Sequence, residues 1–205
     1  PQHVLVAGGT DYGLEITMRD AKPPCIISLQ ALPALRAISS EATAITIGAM
    51  APLSEVERVA KQEIPVLADA LRYFGSRQIK NRATMGGNIV NASPIGDTPP
   101  ALLVLDAIVV VQSSTGTREI AIADWFTGYR TTALQSGEIV AAIRIPRSAE
   151  QARASFYKVS KRRELDISTV SGAFLVELRD GVITGARVAF GGMAATPVRV
   201  QPVEE

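Results

Sequence analysis

Short apolar runs separated by glycine and proline turns characterise the N-terminal part of the chain. The run Val4 to Ala7 predicts a short buried strand, and residues Asp11 to Arg19 predict a helix with Leu14 and Met18 on one face. A second short strand is indicated at Ile26 to Ser28, after a pair of prolines that ends the helical segment. The chain is therefore expected to open with a strand, turn and helix unit followed by another strand.

Strand and helix signals alternate in the segment that follows. Residues Ala44 to Ile47 alternate weakly as a strand, and a first subdomain is expected to close near residue 50. Ser54 and Glu57 have the spacing of a capping box, which predicts a helix running to about Gln62. A further helix is predicted over Pro65 to Gly75, since proline is favoured in the first turn of a helix.

Strand signals dominate the rest of the chain. Residues Ala107 to Gln112 and Arg118 to Ile122 predict a hairpin, and Ile139 to Pro146 predicts another strand. A second hairpin is predicted from Gly172 to Phe190, turning at the Arg-Asp-Gly sequence. A polar stretch near residue 150 predicts one domain over residues 1–150, with subdomains of about 1–50 and 51–150, and a second domain over 151–205.

Two glycine-rich turns have the composition of binding loops. Gly86 and Gly87 lack Cβ atoms, so the backbone is expected to take positive φ there and to bring its N–H groups close to an anionic ligand. The sequence AGGTDYG at Ala7 to Gly13 has similar chemistry and precedes a helix that Thr10 or Asp11 would cap. Two such turns predict one long ligand that contains a diphosphate.

Composition and charge exclude several classes of function. Hydrophobic residues make up 47% of the 205 residues, which is enough for the core of a soluble globular protein. The formal charge of +1 does not provide the excess of positive charge that is typical of nucleic-acid-binding proteins. The longest apolar stretch, Ala101 to Val111, is too short to span a bilayer, and no signal-peptide pattern is present. We therefore expect no nucleic-acid partner, no membrane partner and a cytoplasmic location.

Histidine and cysteine are too scarce for most metal and nucleophile chemistry. The chain has one cysteine, Cys25, and one histidine, His3. Zinc sites, iron–sulfur clusters and His-dependent triads inside the fold therefore lack residues. G-x-G-x-x-G, P-loop and G-x-S-x-G motifs are also absent. We expect no catalytic side chain and no metal site, with the chemistry supplied by a bound cofactor.

Five motifs in order along the chain carry a resemblance to a known family. They are VLVAGGTDYGLE at Val4 to Glu15, FGSRQIKNRATMGGNIVNASPIGDTPPALLVLDA at Phe74 to Ala107, FTGYR at Phe126 to Arg130, YKVSKRRELDISTVSGAF at Tyr157 to Phe174, and FGGMAATPVR at Phe190 to Arg199. With these motifs the chain resembles the FAD-binding domain of the molybdenum hydroxylases. Within that family it is most similar to the small subunit of bacterial xanthine dehydrogenases, which carries FAD and iron–sulfur clusters.

The resemblance implies an α+β fold and a role in electron transfer. The fold would be the PCMH type, with two α/β subdomains holding FAD between them, followed by the start of a CO dehydrogenase flavoprotein-type C-terminal domain. In the family, electrons from a molybdenum cofactor pass through 2Fe-2S clusters to FAD and then to NAD+. The implied partners are an iron–sulfur domain, a molybdenum-cofactor subunit and NAD(H), in a hetero-oligomer of which this chain would be a fragment that carries only the flavin step.

The resemblance also assigns cofactor-binding residues. They are Leu5, Val6, Ala7, Gly8, Gly9, Thr10, Asp11, Tyr12, Phe74, Thr84, Met85, Gly86, Gly87, Asn88, Asp97, Val140 and Lys158. The two glycine turns would hold the diphosphate, Asp97 would accept hydrogen bonds from the flavin or ribityl group, and Lys158 would tune the flavin as a cation at its pyrimidine edge. Phe74 would stack on or shield the flavin, and Val140 would pack against the cofactor.

Three other readings of the same residues remain open. The chain could belong to a carbon monoxide dehydrogenase, an aldehyde oxidase or a related hydroxylase, since the substrate is chosen at a molybdenum centre that this chain lacks. It could also be a structural subunit that keeps the fold without the cofactor. A stand-alone oxidase is less favoured, because no internal His or Cys offers acid–base or thiol chemistry.

Overall fold

The computed structural model describes residues 3–147 and 152–204, and its elements form three groups along the chain. The first group consists of β1 (Val4–Val6), α1 (Tyr12–Arg19) and β2 (Ile26–Ser28), with the two strands paired in parallel. This order matches the expected strand, turn, helix and strand. The helix begins after Asp11, whose side chain makes no capping hydrogen bond. Leu14 and Met18 are exposed rather than buried, and no residue of α1 is buried.

The second group is a five-stranded antiparallel sheet with helices packed on it. Its elements are β3 (Ile38–Ser40), β4 (Ala44–Gly48), α2 (Leu53–Glu63), α3 (Pro65–Arg72), α4 (Arg77–Lys80), α5 (Met85–Asn91), α6 (Thr98–Val104), β5 (Ile108–Ser113), β6 (Gly116–Ala121), α7 (Ile122–Trp125), β7 (Phe126–Gly128), β8 (Thr131–Thr132) and β9 (Ile139–Pro146). The sheet order is β3-β4-β9-β5-β6, and β7 pairs separately with β8. The expected hairpin is present as β5 and β6, joined by a loop of two residues.

The third group is a separate antiparallel sheet. It contains β10 (Ala152–Val159), β11 (Val170–Arg179), β12 (Val182–Gly191) and β13 (Val198–Arg199), followed by α8 (Gln201–Glu204). The expected hairpin at its centre is confirmed. Asp180 and Gly181 both have positive φ, at 52° and 79°, as a two-residue type I′ turn requires. The predicted domain boundary near residue 150 lies outside the described residues.

Strand pairing crosses the subdomain border expected near residue 50. Strands β3 and β4 lie before that border, but β4 pairs along its length with β9, about a hundred residues later in the chain. The five-stranded sheet therefore includes a piece of the N-terminal segment, and the separate N-terminal unit of structure is β1, α1 and β2. Apolar periodicity predicts strands but does not say which distant strand they pair with.

The capping box expected at Ser54 and Glu57 is wrong. Helix α2 begins at Leu53, so Ser54 lies inside the first turn, and Pro52 occupies the N-cap position. The backbone N–H of Leu53 instead donates to the carbonyl of Ala83, which satisfies one donor of the helix end from outside the helix. Glu57 is used elsewhere, in an ion pair with Lys80.

The core lies between the two sheets and around α6. Every residue of α6 is buried, and the helix packs against both β11 and β12. Its Thr-Pro-Pro opening fits a helix start, where the first N–H groups need no intrahelical acceptor. Trp125 is fully buried, and its indole N–H donates to the carbonyl of Ile89 at 3.0 Å, which ties α7 to α5. Among the described residues, no helix is long and apolar enough to cross a membrane.

Lys80 is a buried cation that joins three helices. Its Nζ atom donates to Glu57 Oε2 at 2.6 Å and to the carbonyl of Leu71 at 3.1 Å, which links α4 to α2 and to the end of α3. Lys61 pairs with the same Glu57 carboxylate, but the Lys61 side chain is 64% exposed and the Lys80 side chain 11%. Burial alone would raise the pKa of Glu57, yet the hydrogen bonds and charges of the two lysines lower it below its ordinary value.

The two lysines allow a matched test of this pair. We expect Lys80→Ala to lower the free energy of unfolding by about 2 kcal/mol, because Glu57 loses a buried partner. Lys61→Ala should cost less than about 0.5 kcal/mol, since its pair is exposed to solvent. Because the pKa of Glu57 is lower in the folded chain, the difference should be present above pH 4.5 and shrink as the pH falls below that value. Urea unfolding at several pH values measures both effects, and equal losses for the two variants would contradict this assignment.

Candidate functional site

The first glycine turn leads from β1 into α1. Gly9 has a φ of +77°, a conformation that glycine adopts without strain. Gly8 serves a different purpose, because a Cβ atom there would overlap the carbonyl oxygen of Arg82. The turn therefore lies directly against the backbone that leads into the second glycine sequence, and the two turns meet as the sequence predicts.

The second glycine pair is helical, which corrects the expected backbone conformation. Gly86 and Gly87 lie in the first turn of α5 and are not among the positive-φ glycines of the described chain. A Cβ at Gly86 would lie 2.6 Å from the Cβ of Ala49, so close packing of two backbones requires glycine there. A Cβ at Gly87 would lie 3.0 Å from Thr84 Oγ1. Thr84 caps the helix by accepting a hydrogen bond from the Gly87 N–H at 3.1 Å.

A cavity of about 240 Å³ lies between the two turns. Its lining consists of Leu5, Val6, Ala7, Gly8, Gly9, Thr10, Asp11, Tyr12, Leu29, Ala49, Met50, Phe74, Ala83, Thr84, Gly86, Gly87, Asn88, Val90, Leu134, Glu138, Ile139 and Val140. Most of these side chains are small or apolar. Asn88 is held by a hydrogen bond from Thr98. The cavity thus combines backbone N–H groups and short polar side chains with apolar walls, a composition suited to an extended ligand with polar and aromatic parts.

Another part of the cavity wall comes from the start of β9. A β-bulge lies there, because Val110 pairs with Ala142 whereas Val111 pairs with Val140, which leaves Ala141 as an extra residue. The carbonyl of Ala141 accepts a hydrogen bond from the Ala49 N–H at 2.9 Å. The bulge therefore joins the wall that contains Val140 to the segment on which α5 packs.

Glu138 is the carboxylate of this wall. Arg118 Nε and Nη2 donate to its two oxygens at 2.7 and 2.8 Å, and the backbone N–H of Gln135 donates to it at 2.8 Å. The hydrogen bonds from Arg118 and then from Gln135 lower the pKa of Glu138 to about 2. The carboxylate is therefore ionised at neutral pH and already has hydrogen-bond donors on both oxygens.

Asp97 and Lys158 form a buried ion pair instead of lining the cavity. Lys158 Nζ donates to Asp97 Oδ2 at 2.7 Å and to the carbonyl of Tyr73 at 3.2 Å, and Ser168 donates to the other Asp97 oxygen. The two side chains are 4% and 9% exposed for Lys158 and Asp97. Tyr73 directly precedes Phe74, which lines the cavity, so the backbone that Lys158 contacts continues into the cavity lining. Their assignment to the flavin stays a prediction.

Fourteen of the seventeen residues expected from the sequence line the cavity, and Met85, Asp97 and Lys158 do not. Met85 is the first residue of α5, and its side chain is fully buried in the core. Residues of the lining that the sequence analysis missed are Leu29, Ala49, Met50, Ala83, Val90, Leu134, Glu138 and Ile139. Most of them are ordinary apolar residues without a local signal. Ile139 is placed in the wall by the long-range pairing of β9, whereas Ala83 and Val90 lie within the motif at Phe74 to Ala107 and could have been found there.

Among the described residues, the cavity lining contains no Ser, Cys, Lys or His side chain. Within residues 3–147 and 152–204, no group of three or more His, Cys, Asp or Glu side chains is positioned to hold a metal ion. The site can bind, orient and shield a ligand, which suits a cofactor that brings its own chemistry.

Comparison with protein-family models gives two matches. Residues 1–148 match the FAD binding domain in molybdopterin dehydrogenase. Residues 155–205 match the CO dehydrogenase flavoprotein C-terminal domain. The two matches meet near the break between the five-stranded and the C-terminal sheets.

Relatives of known identity include flavin subunits and larger enzymes. The nicotinate dehydrogenase FAD-subunit of Eubacterium barkeri is 35% identical over 98% of this chain and 70% of its own length. Xanthine dehydrogenase/oxidase of Gallus gallus is 32% identical over 97% of this chain, which spans only 16% of that enzyme. The solved carbon monoxide dehydrogenase from Hydrogenophaga pseudoflava matches with a TM-score of 0.92 at 27% identity, covering 97% of this chain and 69% of that one. The chain belongs to the family of FAD-binding domains of molybdopterin dehydrogenases.

Proposed function

We propose that the cavity between the two glycine turns holds FAD. Support comes from the backbone approach at Gly8 and Gly86, from the lining by Gly87 and Thr10, and from the family match over this segment. The N-terminus of α1 and the preceding turn offer N–H groups to a diphosphate, since helix N-termini favour anions. The diphosphate would lie on the side of the glycine turns, because their backbone N–H groups can donate to an anion there.

The proposed role is that of the flavin-binding electron-transfer part of a xanthine dehydrogenase-like molybdenum hydroxylase in the cytoplasm. When bound, FAD supplies one-electron exchange with iron–sulfur clusters and hydride exchange with a nicotinamide. The 2Fe-2S clusters and the molybdenum cofactor would be on partner domains or subunits, and NAD+ would be the final acceptor. This chain's own residues bind the cofactor, orient it and exclude water from its buried side.

Under this proposal, the hydroxylated substrate would be chosen at the molybdenum centre of a partner subunit and not by this chain. Relatives are named for nicotinate, xanthine and glyceraldehyde, and solved structures of similar fold for carbon monoxide and quinoline. A nicotinate-type or other hydroxylase is therefore the second candidate, with the same flavin step. A structural subunit without cofactor is not favoured, because close packing explains Gly86 but leaves the open cavity beside Gly87 without a purpose.

Gly87 gives the most direct test of FAD binding. We expect Gly87→Val to weaken FAD binding at least about tenfold, because its side chain displaces the Thr84 cap and enters the cavity. Gly13→Val is the matched control, since Gly13 also lies in the first turn of a helix but has open space around it, does not line the cavity and already donates its N–H to the Gly9 carbonyl. FAD retention is measured by absorbance near about 450 nm after gel filtration. Equal flavin content in the two variants would exclude this cavity as the site.

The Asp97–Lys158 pair tests whether buried charge acts on the flavin. Removing either partner should lower the free energy of unfolding by about 3 kcal/mol, since the other charge stays buried. The flavin reduction potential should instead move in opposite directions, because Lys158→Met removes a cation that favours the reduced anion and Asp97→Asn removes a competing anion. We expect a lower potential for the first variant and a higher one for the second, measured by spectroelectrochemical titration. Shifts of the same sign would assign the pair to stability alone.

NAD+ as the acceptor is tested by the reverse reaction. Anaerobic NADH added to the FAD-loaded chain should bleach the flavin absorbance near about 450 nm, since hydride exchange with flavins is reversible. Dithionite, a chemical reductant, serves as the control that shows whether the bound flavin can be reduced. If dithionite reduces the flavin but NADH does not, NAD+ is not the acceptor, and the proposal of FAD binding still stands.

A further inference from the structure

Residues 133–138 form a connecting segment that supplies part of the cavity wall. The segment leads from β8 into β9 and contributes Leu134 and Glu138 to the lining, directly before Ile139 and Val140. Gly137 has a φ of +84°, so the chain reverses sharply just before the wall begins. A segment of this kind has no strand or helix ladder of its own to hold it against the cavity.

An arginine from another strand bonds to this segment at both ends, in addition to the hydrogen bond from the Ala133 N–H to the Trp125 carbonyl at 2.9 Å. Arg118 on β6 donates to the Glu138 carboxylate from Nε and Nη2, and Nη2 also donates to the carbonyl of Ala133 at 2.9 Å. Glu138 completes the arrangement by accepting from the Gln135 backbone at 2.8 Å. Planar guanidinium groups are suited to such two-pronged bonding, which sets both distance and direction.

The register of the sheet explains how Arg118 reaches the segment. Arg118 and Val140 both pair with Val111, from opposite sides of β5, so the three side chains share one face of the sheet. The guanidinium extends along this face past Val111 to the start of β9. The Glu138 side chain is only 10% exposed, although it belongs to a loop, because the guanidinium and the segment enclose it.

We propose that Arg118 and Glu138 are a positioning pair that preorganises the part of the cofactor cavity wall that residues 133–138 supply. This inference rests on the proposed function, since it takes FAD as the occupant. With the pair intact, Leu134 and Glu138 are already in place before the cofactor arrives, while Val140 is held independently by its pairing with Val111. Without it, residues 133–138 have to be ordered during binding, and the lost conformational entropy is subtracted from the affinity.

The occupied acceptor sites of Glu138 argue against a direct ligand role. Its two oxygens accept three hydrogen bonds within the chain, out of about four that a carboxylate can accept, so little capacity remains for a ligand group unless Arg118 or Gln135 is displaced. The pKa of about 2 keeps the carboxylate ionised over the whole range in which flavin binding is measured, and the pair is therefore present throughout.

The same sheet contains a matched control pair. Arg144 on β9 donates two hydrogen bonds to Glu119 on β6, again across β5. Val110 pairs with Glu119 and Ile108 with Arg144, so this pair lies on the opposite face from Arg118. Neither Arg144 nor Glu119 lines the cavity, and their side chains are 36% and 47% exposed. The two pairs have the same chemistry, and only the first holds the cavity wall.

The test compares Arg118→Gln with Arg144→Gln in the full chain. FAD titration followed by flavin fluorescence gives the dissociation constant, and amide hydrogen exchange without FAD reports the order of residues 133–140. We expect Arg118→Gln to raise the dissociation constant about tenfold, the effect of losing a charge-assisted hydrogen-bonded pair, and to speed exchange in that segment. Arg144→Gln should leave the dissociation constant within about twofold of wild type and the exchange unchanged.

Two further variants keep the test decisive if Arg118→Gln does not fold. Arg118→Lys preserves the positive charge but cannot make the two parallel hydrogen bonds of a guanidinium, so it should give an intermediate dissociation constant. Glu138→Gln should resemble Arg118→Gln. An Arg118 series that matches wild type in affinity and in exchange overturns the positioning role while FAD binding stands. If the wild-type chain itself binds no FAD in the same titration, both the proposed function and this inference are overturned.

Discussion

The close approach of α5 to the segment around Ala49 is the contact on which the site depends. Because Gly86 has no Cβ, its N–H donates to the Ala49 carbonyl at 2.9 Å, and Ala49 in turn donates to Ala141 at the bulge of β9. Two successive backbone hydrogen bonds thus connect the second glycine turn, through Ala49, with β9. Any side chain at Gly86 would separate these elements, since the interior has no spare volume there.

The two sheets meet through groups that lie next to the cavity. Asp97 stands before the fully buried helix α6, and Lys158 comes from β10 of the C-terminal sheet. Their bond, and that of Lys158 to the Tyr73 carbonyl, join the segments that the two family models match, one residue away from Phe74 of the cavity lining. The C-terminal sheet is therefore bonded to the backbone that leads into the cavity lining, so a change at either partner of the pair affects stability and the site together.

Local patterns in the sequence account for most of the individual elements. The two hairpins, the first strand and helix, and the meeting of the two glycine turns were all expected from spacing and turn chemistry. The expected reason for Gly86 and Gly87 was wrong, because they are helical and Gly86 is required for close packing. Ser54 failed as a cap because Pro52 forms a bridge with Thr84, and α2 starts at Leu53, two residues earlier than a Ser54 cap would place it.

The sequence by itself determined the family, the mixed α and β elements and most of the cavity lining, because those depend on short motifs read along the chain. Tertiary structure alone decided that β4 pairs with β9, that Arg118 reaches Glu138, and that Asp97 and Lys158 bond to each other. These partners are separated by about 20 to 100 residues, and local propensity carries no information about which distant group a side chain will meet. Only the packing of the sheets and of α6 into one core brings them together.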